Sequence, residues 1–467
     1  MAKRIWLPIS SSDPAGVSDR PFGASEFAVL VASLAFGAPA LIVGADLLGL
    51  ESGLGMTVPQ LILAAPLGIV FAAGLLAAAA WAAADNGVPT GLLMRPALGV
   101  AGSWVASALQ VLFFLAWTAL ELDFGASALL GAMEALEVEA FPRGLTIIGL
   151  GLIAGIFLVA GLAWVTQVWL YRFAFWGALA LTVALAWMFL SSVDLDLLLD
   201  ATPQASRFWL GVDGVMALGV IWFPVVADTA RFVSAAPTAA SGAGTGFSVA
   251  ALALVLLGGI RAASVDLAGG DPAALLFDGA TSVVAVVVVA WLVVGSIDQP
   301  FLFTFSAATA LSTINDRLAG RIQAIVVLAI GVVVAIAVPR STLRGVTELV
   351  VLFIAQVMAI LIADYFLVRR RYYETDELYR RKGRYAGVNL YGLVAILVGF
   401  TIALVIRPVG PENWVASLES LIPGDLPLSE TAGVPPIMVS MLISFAIYAG
   451  LGRWKIHDRV VVSPLRV

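Results

Sequence analysis

The chain has 467 residues, 61% of them hydrophobic and only 12% charged, with a net charge of −6 at pH 7 and a mean hydropathy of +1.02. Soluble domains are about half apolar and about a quarter charged, so a water-soluble globule of this length would lack the polar side chains to cover itself. The acidic balance speaks against nucleic acid as a partner.

Single residue types exclude more. Cys is absent, which removes disulfides, thiolate nucleophiles and iron–sulfur clusters. The one His, His457, and the three lysines, Lys3, Lys382 and Lys455, leave no set for His-based acid–base chemistry, a multi-His metal site or a P-loop. Neither an enzyme nor a bound cofactor is expected.

Residues 1–23 form a polar tail with Lys3, Arg4 and Arg20. It has no short apolar core with a cleavage site, so the first apolar segment is read as an uncleaved insertion signal. Runs of about 20 apolar residues, the length that crosses a bilayer, predict about twelve helical spans. They lie near 24–50, 58–83, 102–130, 144–163, 168–190, 211–233, 246–264, 279–311, 322–338, 345–368, 386–407 and 434–451. The stretch 164–176, rich in Trp and Tyr around Arg172, reads as an interfacial aromatic belt. Twelve spans put both termini on one side. With that side cytoplasmic, 19 of the 25 Lys and Arg fall inside, seven of them between Arg369 and Arg384. The outer loops are acidic, with Glu134, Glu137 and Glu139, Asp194 to Asp200, Asp266 to Asp278, and Glu412 to Glu430. The positive-inside rule thus gives an inner-membrane protein, N-in and C-in, with a second cytoplasmic tail over 452–467.

The first span carries Phe36-Gly37-Ala38-Pro39-Ala40 at its centre, where Pro39 removes a helical hydrogen bond and Gly37 loosens the chain. On the third, Ser103, Ser107, Gln110, Phe114, Trp117 and Glu121 recur every three or four residues. That is one polar and aromatic face on an otherwise apolar helix. Ionisable groups inside spans are costly and mark function, and Glu121 and Asp298 are the two deep ones. Trp117 and Glu121, one turn apart, offer a flat π surface and an acceptor for ring N–H groups; the plainer reading is a protonated packing glutamate. The sixth span holds Gly219-Val220-Ile221-Trp222-Phe223-Pro224, a second expected break. It closes on Asp228-Thr229-Ala230-Arg231, an acid–base pair that reads as structural or as a gate. Two broken helices five spans apart are the trace of inverted repeats in secondary transporters, whose breaks meet near the midplane. In the eighth span, Ser296-Ile297-Asp298-Gln299-Pro300 sets a carboxylate beside freed carbonyls and a hydroxyl, fit for Na⁺ or a proton, or forms a kink. Arg369-Arg370-Arg371 reads as an anchor on anionic headgroups.

Four segments together resemble the nucleobase–cation symporter-1 family, the cytosine, uracil, allantoin and hydantoin permeases. They are Asn86-Gly87-Val88-Pro89-Thr90-Gly91-Leu92 with Arg95 and Gly99 to Trp104; Trp117 followed by Glu121; Asp228 to Phe232; and Ala363-Asp364-Tyr365-Phe366-Leu367-Val368-Arg369-Arg370 with Tyr385 to Asn389. The resemblance implies an all-α, LeuT-like membrane protein of two inverted five-helix repeats, here 24–190 and 211–368, plus two extra helices over 386–451. A bundle of spans 1, 2, 6 and 7 would work against a scaffold of 3, 4, 8 and 9. It implies a flat heterocycle stacked on Trp117, with Glu121 in place of the family's Gln as its partner. The family's second aromatic falls on Gly219, so Trp222 or Phe223 must substitute. The cation would sit between carbonyls at Gly37, Ala38 and Leu41 and the eighth span, where the family's Ser-Thr pair becomes Ser296-Ile297-Asp298. The family's polar substrate residue is apolar here, near Phe303.

The expected function is symport of a small planar nitrogen heterocycle with Na⁺ or H⁺. Gln110, Trp117, Glu121, Gly219 and Trp222 are the substrate candidates, Gly37, Ala38, Leu41, Ser296 and Asp298 the cation candidates, and Asp228 and Arg231 the gate. An ionised Glu121 accepts only, which favours rings that present N–H or NH₂ donors, such as cytosine or an aminopyrimidine. An amino-acid transporter of the same architecture and a membrane sensor that binds without transporting are the alternatives.

Overall fold

A computed structural model describes residues 13–48, 53–191, 207–265, 272–277, 281–295, 297–318, 320–421 and 428–455. Ser296, the acids Asp194, Asp196, Asp200, Asp266, Asp271, Asp278 and Asp425, and the tails 1–12 and 456–467 lie outside the described residues. Each predicted span coincides with helix. In chain order these are α1 (Ala24–Ala35) and α2 (Ala38–Leu48), α3 (Val58–Asn86), the short α4 (Thr90–Leu93), α5 (Arg95–Ala135), α6 (Arg143–Ala160) and α7 (Leu162–Leu190). Next come α8 (Phe208–Ala230), α9 (Ala236–Val265), α10 (Pro272–Phe277), α11 (Ser282–Gly295), α12 (Gln299–Ile314), α13 (Arg321–Ala337) and α14 (Arg340–Val368). The last are α15 (Thr375–Tyr379), α16 (Leu390–Ile406), α17 (Glu412–Glu419), α18 (Leu428–Ala432) and α19 (Pro436–Lys455). By length and composition eight described helices can cross a membrane, with α11 and α12 taken as one. The α1–α2 pair, bent by 53°, makes a ninth, and α13, α16 and α19 are shorter apolar helices.

Local chemistry sets the ends. Thr57 caps α3 through a reciprocal pairing with Gln60, and Gly87, at φ +66°, closes it. The α1–α2 break falls where the sequence placed it: Ala38 and Pro39 open α2, the one part of a helix that tolerates a missing N–H. The expected break in the sixth span is absent. Helix α8 runs unbroken from Phe208 to Ala230 with Pro224 inside it. Proline removes a single hydrogen bond, and in a tightly packed membrane helix neighbours re-satisfy the freed group. The eighth span is interrupted, as expected around Asp298 and Pro300, between Gly295 and Gln299.

Two groups of helices emerge. In one, α1, α2, α3, α8 and α9 pack closely through small residues. A Cβ on Gly246 would collide with the Ala28 backbone, and one on Gly258 with the Leu41 carbonyl. In the other, α5 packs on α6, α12 and α13. The helix faces turned outward are apolar: Leu145, Ile148, Leu152, Ile156 and Val159 form an exposed row on α6, the inverse of a soluble helix and suited to acyl chains. The presumed aromatic belt at 164–176 is split. A π-helical turn over Val165–Ala174 buries Thr166 and Leu170 and sets Trp169 on Phe157, while Tyr171 and Trp176 face out.

Three of the four resemblance segments, all but Trp117 with Glu121, meet at the arginine-rich end. The amides of Val100 and Ala101 bond to the carbonyls of Tyr385 and Gly387, and Asn389 N–H to Leu98 O, each at 2.8 Å. Gly99, at φ +78°, makes this approach. Arg369 is turned inward rather than toward headgroups. It donates to Asp364 at 3.0 Å, and Asp364 also accepts from Tyr373 (2.7 Å) and Tyr448 (2.8 Å). The described part of the first tail is pinned to the same end: Ala15 N–H bonds Gly87 O at 2.8 Å, Arg20 bonds Ala84 O at 2.7 Å, and Phe22 forms a bridge with Val233.

Candidate functional site

The face predicted on α5 is buried against α12 along an antiparallel seam. From the arginine-rich end, Ser107 and Thr313 hydroxyls meet at 3.0 Å. One turn on, Gln110 Nε2 donates to Ser306 Oγ and to Asp228 Oδ2, both at 3.0 Å. Another turn on, Phe114 stacks on Phe303 at 5.8 Å and 9°. On α12, positions 303, 306 and 313, three and seven residues apart, share one face, as 107, 110 and 114 do on α5 at three and four.

Asp228 is the node of the middle layer. It accepts from Thr90 N–H (2.8 Å), Gln110 and Ser306 Oγ (2.5 Å), so α4, α5, α8 and α12 are tied together there. Arg231, its predicted partner, lies over the Phe232 ring at 4.6 Å, within electrostatic reach of Asp228, Asp13 and Tyr379. Nearby Arg95 bonds the carbonyls of Leu378 (2.5 Å) and Thr313 (3.1 Å). Outside the spans, burial raises the Tyr379 phenol above its ordinary range, so it stays neutral beside these arginines.

The next layer is aromatic. Trp222 of α8 stacks on Phe303 at 5.4 Å and 6°, so Phe303 lies between two nearly parallel rings, Trp222 and Phe114. Trp117 closes the box, 5.8 Å from Trp222 and 6.4 Å from Phe303, tilted by more than 50° to both. Its indole N–H is buried without a partner. Gly219 is placed elsewhere, against Ala72 of α3, where a Cβ would clash. Gln110 belongs to the Asp228 node.

Glu121, one turn past Trp117, is 5% exposed and lines a cavity between α5, α6 and α11. It makes no hydrogen bond in this conformation, and Asp298 is close enough for the two carboxylates to repel. Asp298 is fully buried at the α11–α12 break, and neither of its oxygens has a hydrogen-bond partner. Its polar neighbours are Trp169, whose indole N–H is unpaired, and Ser33, whose hydroxyl donates to Leu30 O at 2.9 Å. Gln299 reaches across to the α1–α2 break. Its amide donates to Ser33 O at 2.9 Å, its Oε1 is unpaired, and its head fills the space over Gly37. Of the cation candidates, Gly37 and Ala38 lie at this junction, while the Leu41 carbonyl is turned toward Gly258 of α9.

Thr90 and Gln299 stand in the sequence motifs without a role of their own, and Ser306 stands in none. The signal for Ser306 was present in the spacing of Phe303, Ser306 and Thr313. Phe303 had been read only as a lost polar contact.

Residues 14–419 match a family described as permeases for cytosine/purines, uracil, thiamine and allantoin. Among solved structures, the chain is similar to Mhp1, a nucleobase-cation-symport-1 family transporter, in a closed conformation with bromovinylhydantoin bound. The identity is 19% and the TM-score 0.74, over 96% of each chain. Mhp1 in an inward-facing conformation gives 19% and 0.72, over 98% of this chain and 96% of that one. A manganese transporter from Eremococcus coleocola gives 13% and 0.55, over 97% and 98%. No curated protein matches the sequence at a significant level. The fold is thus the all-helical, LeuT-like one of these transporters.

Proposed function

Because the chain belongs to the family of permeases for cytosine and purines, uracil, thiamine and allantoin, we propose that it imports a small planar nitrogen heterocycle bearing N–H or NH₂ donors, by symport with Na⁺ or H⁺. The observation that carries this reading is the aromatic box at the α5–α8–α12 crossing, with unpaired polar groups on its far side. Trp117 is the stacking platform and Trp222 the second aromatic wall. Glu121, one turn away, lines a neighbouring cavity in this conformation, and in this reading it turns to accept from the ring's donors once substrate is bound. The two breaks that face each other at Gly37 and Asp298 form the cation locus, because the buried Asp298 oxygens make no well-formed hydrogen bond, with only Trp169 and Ser33 as polar neighbours, and Gln299 Oε1 is unpaired, so a cation or proton supplies what they need. Gly37, Ala38 and Asp298 are its residues in this reading. Asp228 is the gate residue, joining α8 to α5 and α12. The arginine-rich end faces the cytoplasm of the inner membrane, by the positive-inside rule.

Binding of ion and ring together favours one of two states through differential affinity, and rocking of the α1–α2–α3–α8–α9 group against α5, α6, α12 and α13 exposes the site to the other side. The amino-acid alternative needs a free break between α1 and α2 to receive a carboxylate. Gln299 already occupies that gap and donates to Ser33 O, which weighs against it.

A thermal-shift screen of the purified protein against nucleobases and aminopyrimidines, with and without Na⁺, is the test. Donor-bearing rings are expected to raise the unfolding temperature in a saturable way, as a ligand specific for the native state does. Stabilisation by amino acids, with none by any heterocycle, would overturn the reading. Uptake with Na⁺ replaced by choline at fixed pH then separates the two coupling ions.

A further inference from the structure

The cavity that Glu121 lines is not the aromatic box. It is a partly open cavity of about 70 Å³ between α5, α6 and α11. Its walls include Leu122 and Leu129 of α5, Leu150 of α6, and Val289, Leu292 and Val293 of α11. Among the described residues that line it, Glu121 alone is polar, and Trp117, Trp222 and Phe303 are not part of it. A carboxylate more than nine-tenths buried, facing an apolar void without a donor, is an expensive arrangement. Asp298, itself an acceptor, supplies no donor for it. The described side chains of the walls offer no further oxygen ligands, so a hard metal ion held by them would lack its coordination shell. A ligand that satisfies both features has an apolar body and a positively charged hydrogen-bond donor. Val293, 44% exposed on the outer face of α11, opens the void toward the surroundings of the bundle, from which a hydrophobic molecule can enter.

We propose that this cavity is a binding site for an amphipathic monocation, a hydrophobic body ending in an ammonium or amidinium group that pairs with Glu121. The site goes beyond the heterocycle reading and stands on the cavity and its one carboxylate.

The test uses the full-length protein in a neutral maltoside detergent, titrated calorimetrically at pH 7 with 4-phenylbutylamine and with 4-phenylbutanol, its uncharged counterpart. The amine is expected to saturate and to bind roughly tenfold more tightly than the alcohol, the advantage of a charge-assisted hydrogen bond. Glu121→Gln should erase that advantage, and Val293→Trp, which fills the void from its open side, should weaken both probes. Equal binding of amine and alcohol to the unaltered protein would overturn the proposal, and needs no variant to fold. So would a preference for the amine that survives in Glu121→Gln.

Discussion

The two halves of the α5–α12 seam differ in one respect. On the arginine-rich side of Phe114 the side chains that face each other across the seam meet partners: Ser107 with Thr313, Gln110 and Ser306 with Asp228, Asp228 with the Thr90 amide; Arg95 Nε and Trp104 Nε1 at its edge do not, among the described residues. On the other side several do not: among the described residues the Trp117 indole N–H, both Asp298 oxygens and Gln299 Oε1 are buried without a hydrogen bond, and Glu121 faces a cavity. Buried polar groups in folded proteins are nearly always paired. The satisfied half therefore works as a closed internal joint, and the unsatisfied half is where a ligand's atoms are missing.

Substitutions can break or sharpen that contrast. The largest effect is expected on the paired side. Asp228→Ala strips three donors of their acceptor and should cost about 3–5 kcal/mol of stability, read as a large drop in unfolding temperature; a small drop would deny Asp228 its place as a node. On the unpaired side, Trp117→Ala should leave the fold intact and weaken heterocycle binding by about 1–3 kcal/mol, the usual value of a base–aromatic stack, measured by titration. Retained affinity would remove the box from the binding site. Ser107→Ala, which takes one hydroxyl from the seam, should cost only about 0.6–1 kcal/mol, as single interhelical hydrogen bonds in membranes do. The smallest effect on stability is expected from Glu121→Gln, because no hydrogen bond is lost there. What should change is selectivity, with imide rings gaining on amine-bearing ones, since an amide can both donate and accept. Uptake competition between uracil and cytosine reads this directly, and an unchanged ratio would separate Glu121 from the ring.

Much of this contrast was legible in the sequence. The helix positions follow from apolar run length, and the face from Ser103 to Glu121 from its period, because a polar stripe on a membrane helix has nowhere to go but inward. Its partner on α12 carries a weaker signal, because Ser306 and Thr313 are two small hydroxyls two turns apart with no charge between them. Proline misled in the opposite way at Pro224: the residue signals a lost N–H, and whether the helix breaks depends on neighbours that only the packed structure supplies. Arg369 shows the same limit for charge. Its neighbours Arg370 and Arg371 adopt positive φ, and the turn they make sends Arg369 inward to Asp364, which a run of three like residues does not announce.

Phe303 has a consequence for affinity. Its ring already lies flat between Trp222 and Phe114, so the chain supplies an internal competitor for its own aromatic slot. An incoming ring that uses this slot must wait for Phe303 to leave, and its apparent dissociation constant rises by the inverse of the fraction of time the slot stands empty. A smaller side chain at 303 would lift that handicap, and with it some of the barrier that keeps an unloaded carrier shut.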